Sequence, residues 1–137
     1  MSHDSRYIGI WINRSAPDVY RYAADPRHLP HWAAGLAAGE VTQVGPAWVA
    51  HSPMGEVTIE FAPANDLGVL DHIVTMPSGE QVFNPLRVVP AGQEWGEIVF
   101  TLRRRAGMSD AEFDADADAV SQDLLALKQI LEDQRRD

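Results

Sequence analysis

The sequence predicts an α+β fold in which a long antiparallel sheet curls around a single terminal helix. Three observations lead there. The chain runs as one strand, two short helices, about six strands and one long helix. The strands are joined mostly by short turns, which favours antiparallel neighbours over parallel crossovers. The last helix is amphipathic, and a sheet with one such helix buries both apolar faces only by wrapping it. The space between them is a pocket. The length of 137 residues suits one compact domain over residues 1–137, burying roughly two thirds of its unfolded surface.

Tyr7 to Asn13 alternates, with Ile8, Ile10 and Ile12 on one face and Tyr7, Gly9 and Trp11 on the other, as a strand does. Ser15-Ala16-Pro17-Asp18 opens a first helix that continues to about Ala24. Ser15 can accept a first-turn amide hydrogen there, and proline is tolerated. Asp25-Pro26 starts a second helix past Leu29 and Trp32 to Gly35, and the two form a V.

From Glu40 to Leu102 strands are punctuated by turns at Gly45-Pro46, Pro53-Met54-Gly55, Asn65 to Gly68, Pro77-Ser78-Gly79 and Pro90-Ala91-Gly92. Five turns imply six strands here and seven in all. The closing helix spans Ser109 to Arg135. Ser109 with Glu112 forms a capping box, and Met108 with Phe113 a hydrophobic staple. Phe113, Ala117, Val120, Leu124, Leu127 and Leu131 recur at spacings of four and three, one apolar stripe that must face the sheet.

Hairpin tips set which residues oppose each other. A tip at Pro53-Met54 pairs Trp48 with Ile59 and Ala50 with Val57, putting Trp48 inside. Tips at Ser78-Gly79 and Ala91-Gly92 pair Val74 with Phe83, Phe83 with Phe100 and Leu70 with Arg87. One face then carries Leu70, Val74, Met76, Phe83, Ile98, Phe100 and Leu102, with His72, Gln81 and Arg87 as its polar members. The other face carries Asp71, Thr75, Asn84, Glu97 and Thr101. Asp71 and His72 are adjacent, point to opposite faces and so form no catalytic dyad.

His72 and Arg87 are thus expected diagonally across one strand pair on an apolar wall. Functionally they would hold an anionic or carbonyl-bearing ligand, and histidine can also move protons near neutral pH. Structurally, His72 would be a satisfied core histidine, with Arg87 reaching an acidic partner such as one in the first turns of the closing helix. Trp48 and Trp32 read as cavity wall and helix anchor.

Other functions find little support. Eleven basic against 20 acidic residues give a formal charge of −9, which repels phosphate backbones and anionic lipid. Arg103, Arg104 and Arg105 cluster but end a strand, where charges are normally solvated. Zero cysteines remove disulfides, thiol nucleophiles and thiolate zinc sites. His28 and His31 share a spacing that Pro30 interrupts, so no metal or other cofactor is expected. No apolar run reaches the ~18 residues of a membrane span, and Met1-Ser2-His3-Asp4 lacks a signal segment. A cytoplasmic protein without membrane insertion or nucleic-acid binding is expected, and a homodimer is compatible with it.

Val19-Tyr20-Arg21-Tyr22-Ala23-Ala24-Asp25-Pro26-Arg27-His28-Leu29-Pro30-His31-Trp32 resembles the first helical pair of the START and polyketide cyclase/dehydrase (SRPBCC) superfamily. Gly68 to His72, Pro85 to Pro90 and Gly107 to Asp110 look like a small bacterial branch of it. The resemblance covers nearly the whole chain. It implies the helix-grip fold, a curved seven-stranded antiparallel sheet wrapped around a long C-terminal helix, with two short helices after the first strand. It also implies a cavity for lipids, sterols, hormones or polyketides, and in some members cyclase or dehydratase chemistry. The ligand set of iron-containing members has no counterpart here.

The expected function is that of a carrier or sensor holding a small hydrophobic molecule between sheet and helix. Trp32, Trp48, His72, Phe83, Arg87, Phe100, Phe113, Val120 and Leu124 are its candidate contacts. A cyclase or dehydratase with His72 as acid/base and Arg87 on an enolate is the alternative. A protein-interaction module would instead expose an apolar patch around Trp11, Trp95 and Val99.

Overall fold

The computed structural model describes residues 4–135. Its elements are β1 (Ser5–Ile12), α1 (Ala16–Ala23), a 3₁₀ turn (Pro26–His28), α2 (Leu29–Trp32), β2 (Thr42–Val44), β3 (Ala47–Ser52), β4 (Gly55–Phe61), β5 (His72–Thr75), β6 (Gln81–Asn84), β7 (Leu86–Pro90), β8 (Gly96–Arg103) and α3 (Asp110–Arg135). The expected order holds, but the sheet differs. Instead of one curved seven-stranded sheet there are two, a three-stranded one in the order β1-β8-β7 and a five-stranded one in the order β2-β3-β4-β5-β6.

Pro85 accounts for the extra strand. It has no N–H for a ladder, and a stretch expected to be continuous stops at Asn84 and resumes at Leu86. β6 stays with β5 while β7 joins β8. The sheets meet at a seam, where Val69 bridges Arg87. There the Leu70 N–H donates to the Leu86 carbonyl and the Val88 N–H to the Gly68 carbonyl, both at 2.8 Å.

The β3–β4 hairpin has the expected register, Trp48 opposite Ile59 and Ala50 opposite Val57. The next two do not. The Gly79 N–H donates to the Met76 carbonyl and the Met76 N–H to the Glu80 carbonyl, both at 2.8 Å, while Gly79 has φ 93°. Pro77 fills the turn position its fixed φ suits and Gly79 the left-handed one, so the loop has one residue more than a Ser78-Gly79 tip. One residue exchanges the faces. Val74 opposes Val82, Ile73 opposes Phe83 and His72 opposes Asn84. Phe83 is consequently 48% exposed. The last hairpin is also wider, its Ala91 N–H donating to the Trp95 carbonyl at 2.9 Å. Leu86 then opposes Phe100 and Arg87 opposes Val99, which buries Leu86 and Val88 and turns Arg87 outward.

The helix ends follow their local signals. Ser15 Oγ accepts the Asp18 N–H at 3.3 Å to start α1, and Asp25 Oδ1 accepts the Arg27 N–H at 3.0 Å at the 3₁₀ turn. α2 stops at Trp32, short of Gly35, because Ala33 leaves helical geometry at φ −121°, ψ 55°. At α3 the capping box closes both ways, Ser109 N–H to Glu112 Oε1 at 2.9 Å and Glu112 N–H to Ser109 Oγ at 3.1 Å. Met108 packs beside Phe113 as the staple requires. The stripe is buried at Phe113, Ala117, Leu124, Leu127 and Leu131, and α3 packs on β1, β8 and α2. Its far end is tied to the end of β1 by Lys128 Nζ to the Trp11 carbonyl at 2.8 Å and to the residue after that strand by the Asn13 N–H to Glu132 Oε2 at 2.9 Å. Among the described residues no helix is long and apolar enough to cross a membrane.

Candidate functional site

α3 lies against the three-stranded sheet, and the β5–β6 hairpin faces it across a gap. That gap is a groove of about 580 Å³, closed at one side by α2. Its apolar wall includes Leu29, Trp32, Leu36, Phe61, Val74, Met76, Val82, Leu86, Phe100, Leu102, Val120 and Leu124. Polar side chains enter from β5, β6 and α3 as His72, Asn84, Asp116 and Asp123, while the exposed Glu80, Gln81, Arg103 and Arg105 line its rim, Gln81 having been turned outward with Phe83 by the register.

His72 is the first residue of β5 and is 6% exposed. Its Nδ1 lies 2.9 Å from the Leu70 carbonyl. A carbonyl only accepts, so Nδ1 carries the proton and Nε2 keeps its lone pair. Asn84 Nδ2 approaches that lone pair to 3.5 Å, and the rings of Phe61 and Phe100 lie at 5.0 and 6.4 Å. Burial lowers the pKa of His72, more than the Leu70 bond and the Asp71 charge raise it. The imidazole is neutral at pH 7.

Asp71 points the other way, as strand alternation demands. It accepts from Arg87 at 3.2 Å (Nε) and 2.8 Å (Nη2) and from the Leu86 N–H at 2.9 Å. The Arg87 bond is the main cause of its lowered pKa. Arg87 therefore has its acidic partner on the outer face, not in the first turns of α3, and does not share a wall with His72.

Six of the nine candidate contacts line the groove: Trp32, His72, Phe83, Phe100, Val120 and Leu124. Phe83 reaches it only from the edge strand, since its register turns it outward. Three do not line it. Arg87 is lost to the register change. Trp48 is on β3, two strands away from β5 in the sheet order. Phe113 is held between the guanidinium groups of Arg6 and Arg104, at 4.4 and 4.7 Å from its ring centre, in a small cluster with Leu102 and Ala117.

Sequence reasoning also passed over groups that the groove contains. Asp123 lines it with no hydrogen bond or ion pair among the described residues, and burial raises its pKa to about 6. Its position was readable, because Asp116, Val120, Asp123 and Leu124 follow helical spacing along the flank of the stripe. Trp32 is 6% exposed, and its Nε1 is the one buried side-chain nitrogen or oxygen among the described residues without a hydrogen-bond partner. No group of three or more metal-ligating side chains occurs among the described residues.

No family model matches the chain, and no curated protein matches it significantly. Solved structures do. A START superfamily protein from Mycobacterium smegmatis superimposes with a TM-score of 0.68 at 10% identity, over 97% of this chain and 99% of that one. The protein XoxI from Bacillus cereus gives 0.72 at 15% identity, over 98% and 99%. The di-domain aromatase/cyclase (ARO/CYC) BexL of the BE-7585A biosynthetic pathway gives 0.70 at 17% identity over 94% of this chain, which spans about half of BexL, 46%. The chain has the START-like, SRPBCC-type fold.

Proposed function

We propose that this chain binds a small hydrophobic molecule in the groove between the β5–β6 hairpin and α3, as a cytoplasmic carrier or sensor. The observation that carries the reading is an apolar groove of about 580 Å³ holding one buried, neutral histidine. Such a size is usual for a small-molecule site, and release of water from its apolar wall drives binding. Trp32, His72, Phe100, Val120 and Leu124 are the proposed contacts. A thermal-shift screen against aromatic polyketides and fatty acids should raise the melting temperature with at least one class. Val120→Trp, which fills the groove, should abolish that rise. A flat response across both classes would remove the proposal.

A second reading, chemistry of the cyclase or dehydratase kind, draws on the neutral His72 and its Nε2 lone pair, which suit a general base. Arg87 can hold no enolate for it from the outer face. With a poly-β-keto substrate, His72→Ala should then lose turnover and keep binding. Absence of turnover by the unaltered protein leaves binding alone.

A further inference from the structure

We infer that the groove selects a molecule carrying a protonated amine on an apolar body, with the Asp123 carboxylate as its counter-ion. This rests on the groove being the binding site. The α3 residues that line the groove are Asp116, Ala119, Val120, Asp123 and Leu124. At about 100° per residue they occupy one flank of the helix, with Asp116 and Asp123 near its middle, so both side chains point into the groove. Asp123 is only partly exposed, and no charge or hydrogen bond among the described residues compensates its burial. A carboxylate is costly to hold beside Val120 and Leu124. A hydrocarbon or a neutral carbonyl leaves that cost in place, whereas an ammonium offsets it through a charge-assisted hydrogen bond.

The other polar groups of the groove ask for the same chemistry. His72 offers the Nε2 lone pair, and Asn84 turns its amide nitrogen toward that atom at 3.5 Å, which leaves its oxygen to accept. Asp116 adds a second carboxylate on the same flank of α3. The two acids are seven residues apart, about 10 Å along the helix, too far to share one metal ion. The cation they suit is therefore an organic one. The arginines of the rim do not supply it. Arg103 follows the buried Leu102 and so leaves β8 on the outer face, and Arg105 faces Glu80 at 3.6 Å. The formal charge of −9 also draws cations to the chain.

Three probes of one bicyclic skeleton test this with the intact chain at pH 7.5: 2-naphthylmethylamine, 2-naphthylmethanol and 2-naphthoate. The amine should bind about tenfold tighter than the alcohol, the difference between a charged and a neutral donor at one carboxylate. Asp123→Asn should erase that preference and keep the alcohol bound. A second readout is the Asp123 carboxyl carbon in ¹³C-labelled protein, assigned with the same variant. Its titration midpoint, about 6 in the free chain, should fall by about one pH unit with the amine bound, the counterpart of the tenfold preference. If Asp123→Asn does not fold, that midpoint and the affinity ratio in the unaltered protein decide alone. Equal affinities with an unmoved midpoint overturn the inference and leave the groove as a binding site. A preference for the amine that survives Asp123→Asn assigns it to Asp116, Glu80 or the net charge, and overturns it. Tightest binding of naphthoate assigns the polar contact to Arg103 or Arg105 and overturns it too. Binding of none of the three overturns the groove itself, and the inference with it.

Discussion

Asp123 is held at a pKa of about 6 by burial in the groove, and the sign of its effect follows from linkage. Between the ordinary carboxylate value and about 6 the folded state holds more protons than the unfolded one, so stability falls as pH rises through that window. Above it the cost is constant. Asp123→Asn should therefore stabilise the protein at pH 8 by on the order of 1 kcal/mol, a figure discounted for the side chain's partial exposure. The gain should vanish at pH 4, which urea denaturation at both pH values can check. Asp71 gives a contrasting case on the outer face. Its carboxylate serves both Arg87 and the N–H of the buried Leu86. Arg87→Ala removes an exposed ion pair and should cost about 0–1 kcal/mol. Asp71→Ala also orphans a buried amide and should cost about 1–3 kcal/mol. Equal losses in chemical denaturation would mean that the amide bond contributes nothing. That Asp71 and His72 diverge was evident from their adjacency in a strand, since alternation is a property of the backbone. That Arg87 follows Asp71 was not, because it depends on a loop further along the chain.

Local signals and pairing signals differ in what they specify. The capping box, staple and stripe of α3 are decided within a few residues, and each is realised as its spacing implies. Leu124 on that stripe is 2% exposed. Leu124→Ala should cost about 2–5 kcal/mol through lost burial and a residual void. Asp118, on the exposed side, should tolerate asparagine within about 0.5 kcal/mol. Similar small losses in urea titrations of both variants would mean that α3 is not docked through this face. Hairpins are less forgiving. The β3–β4 tip was assigned its true length and the register followed. At Pro77-Ser78-Gly79 the dipeptide Ser-Gly suggested a two-residue tip, whereas proline and glycine together favour the longer turn. A miscount by one sent Phe83 to the wrong face and kept Asn84 out of the groove.

The order of elements and the position of the pocket between helix and sheet were readable, because they depend on counting apolar faces. The division into two sheets was not, since it depends on Pro85 acting where the ladder must change partners. The seam beside it is tight. Gly68 has φ 75°, and a Cβ there would stand 2.1 Å from the Val88 carbonyl oxygen. Gly68→Ala should cost more than about 1 kcal/mol from the left-handed backbone alone, with the clash in addition. Differential scanning calorimetry would show it as a clear fall in melting temperature, and an unchanged value would mean that the seam yields freely. The two sides of the groove are carried by different sheets, α3 by one and the β5–β6 hairpin by the other. Neither Gly68 nor Pro85 borders it. The aperture is thus a matter of the angle at which two sheets are joined. The size of molecule the groove admits can therefore change through a few positions at that join while every residue lining the groove stays the same.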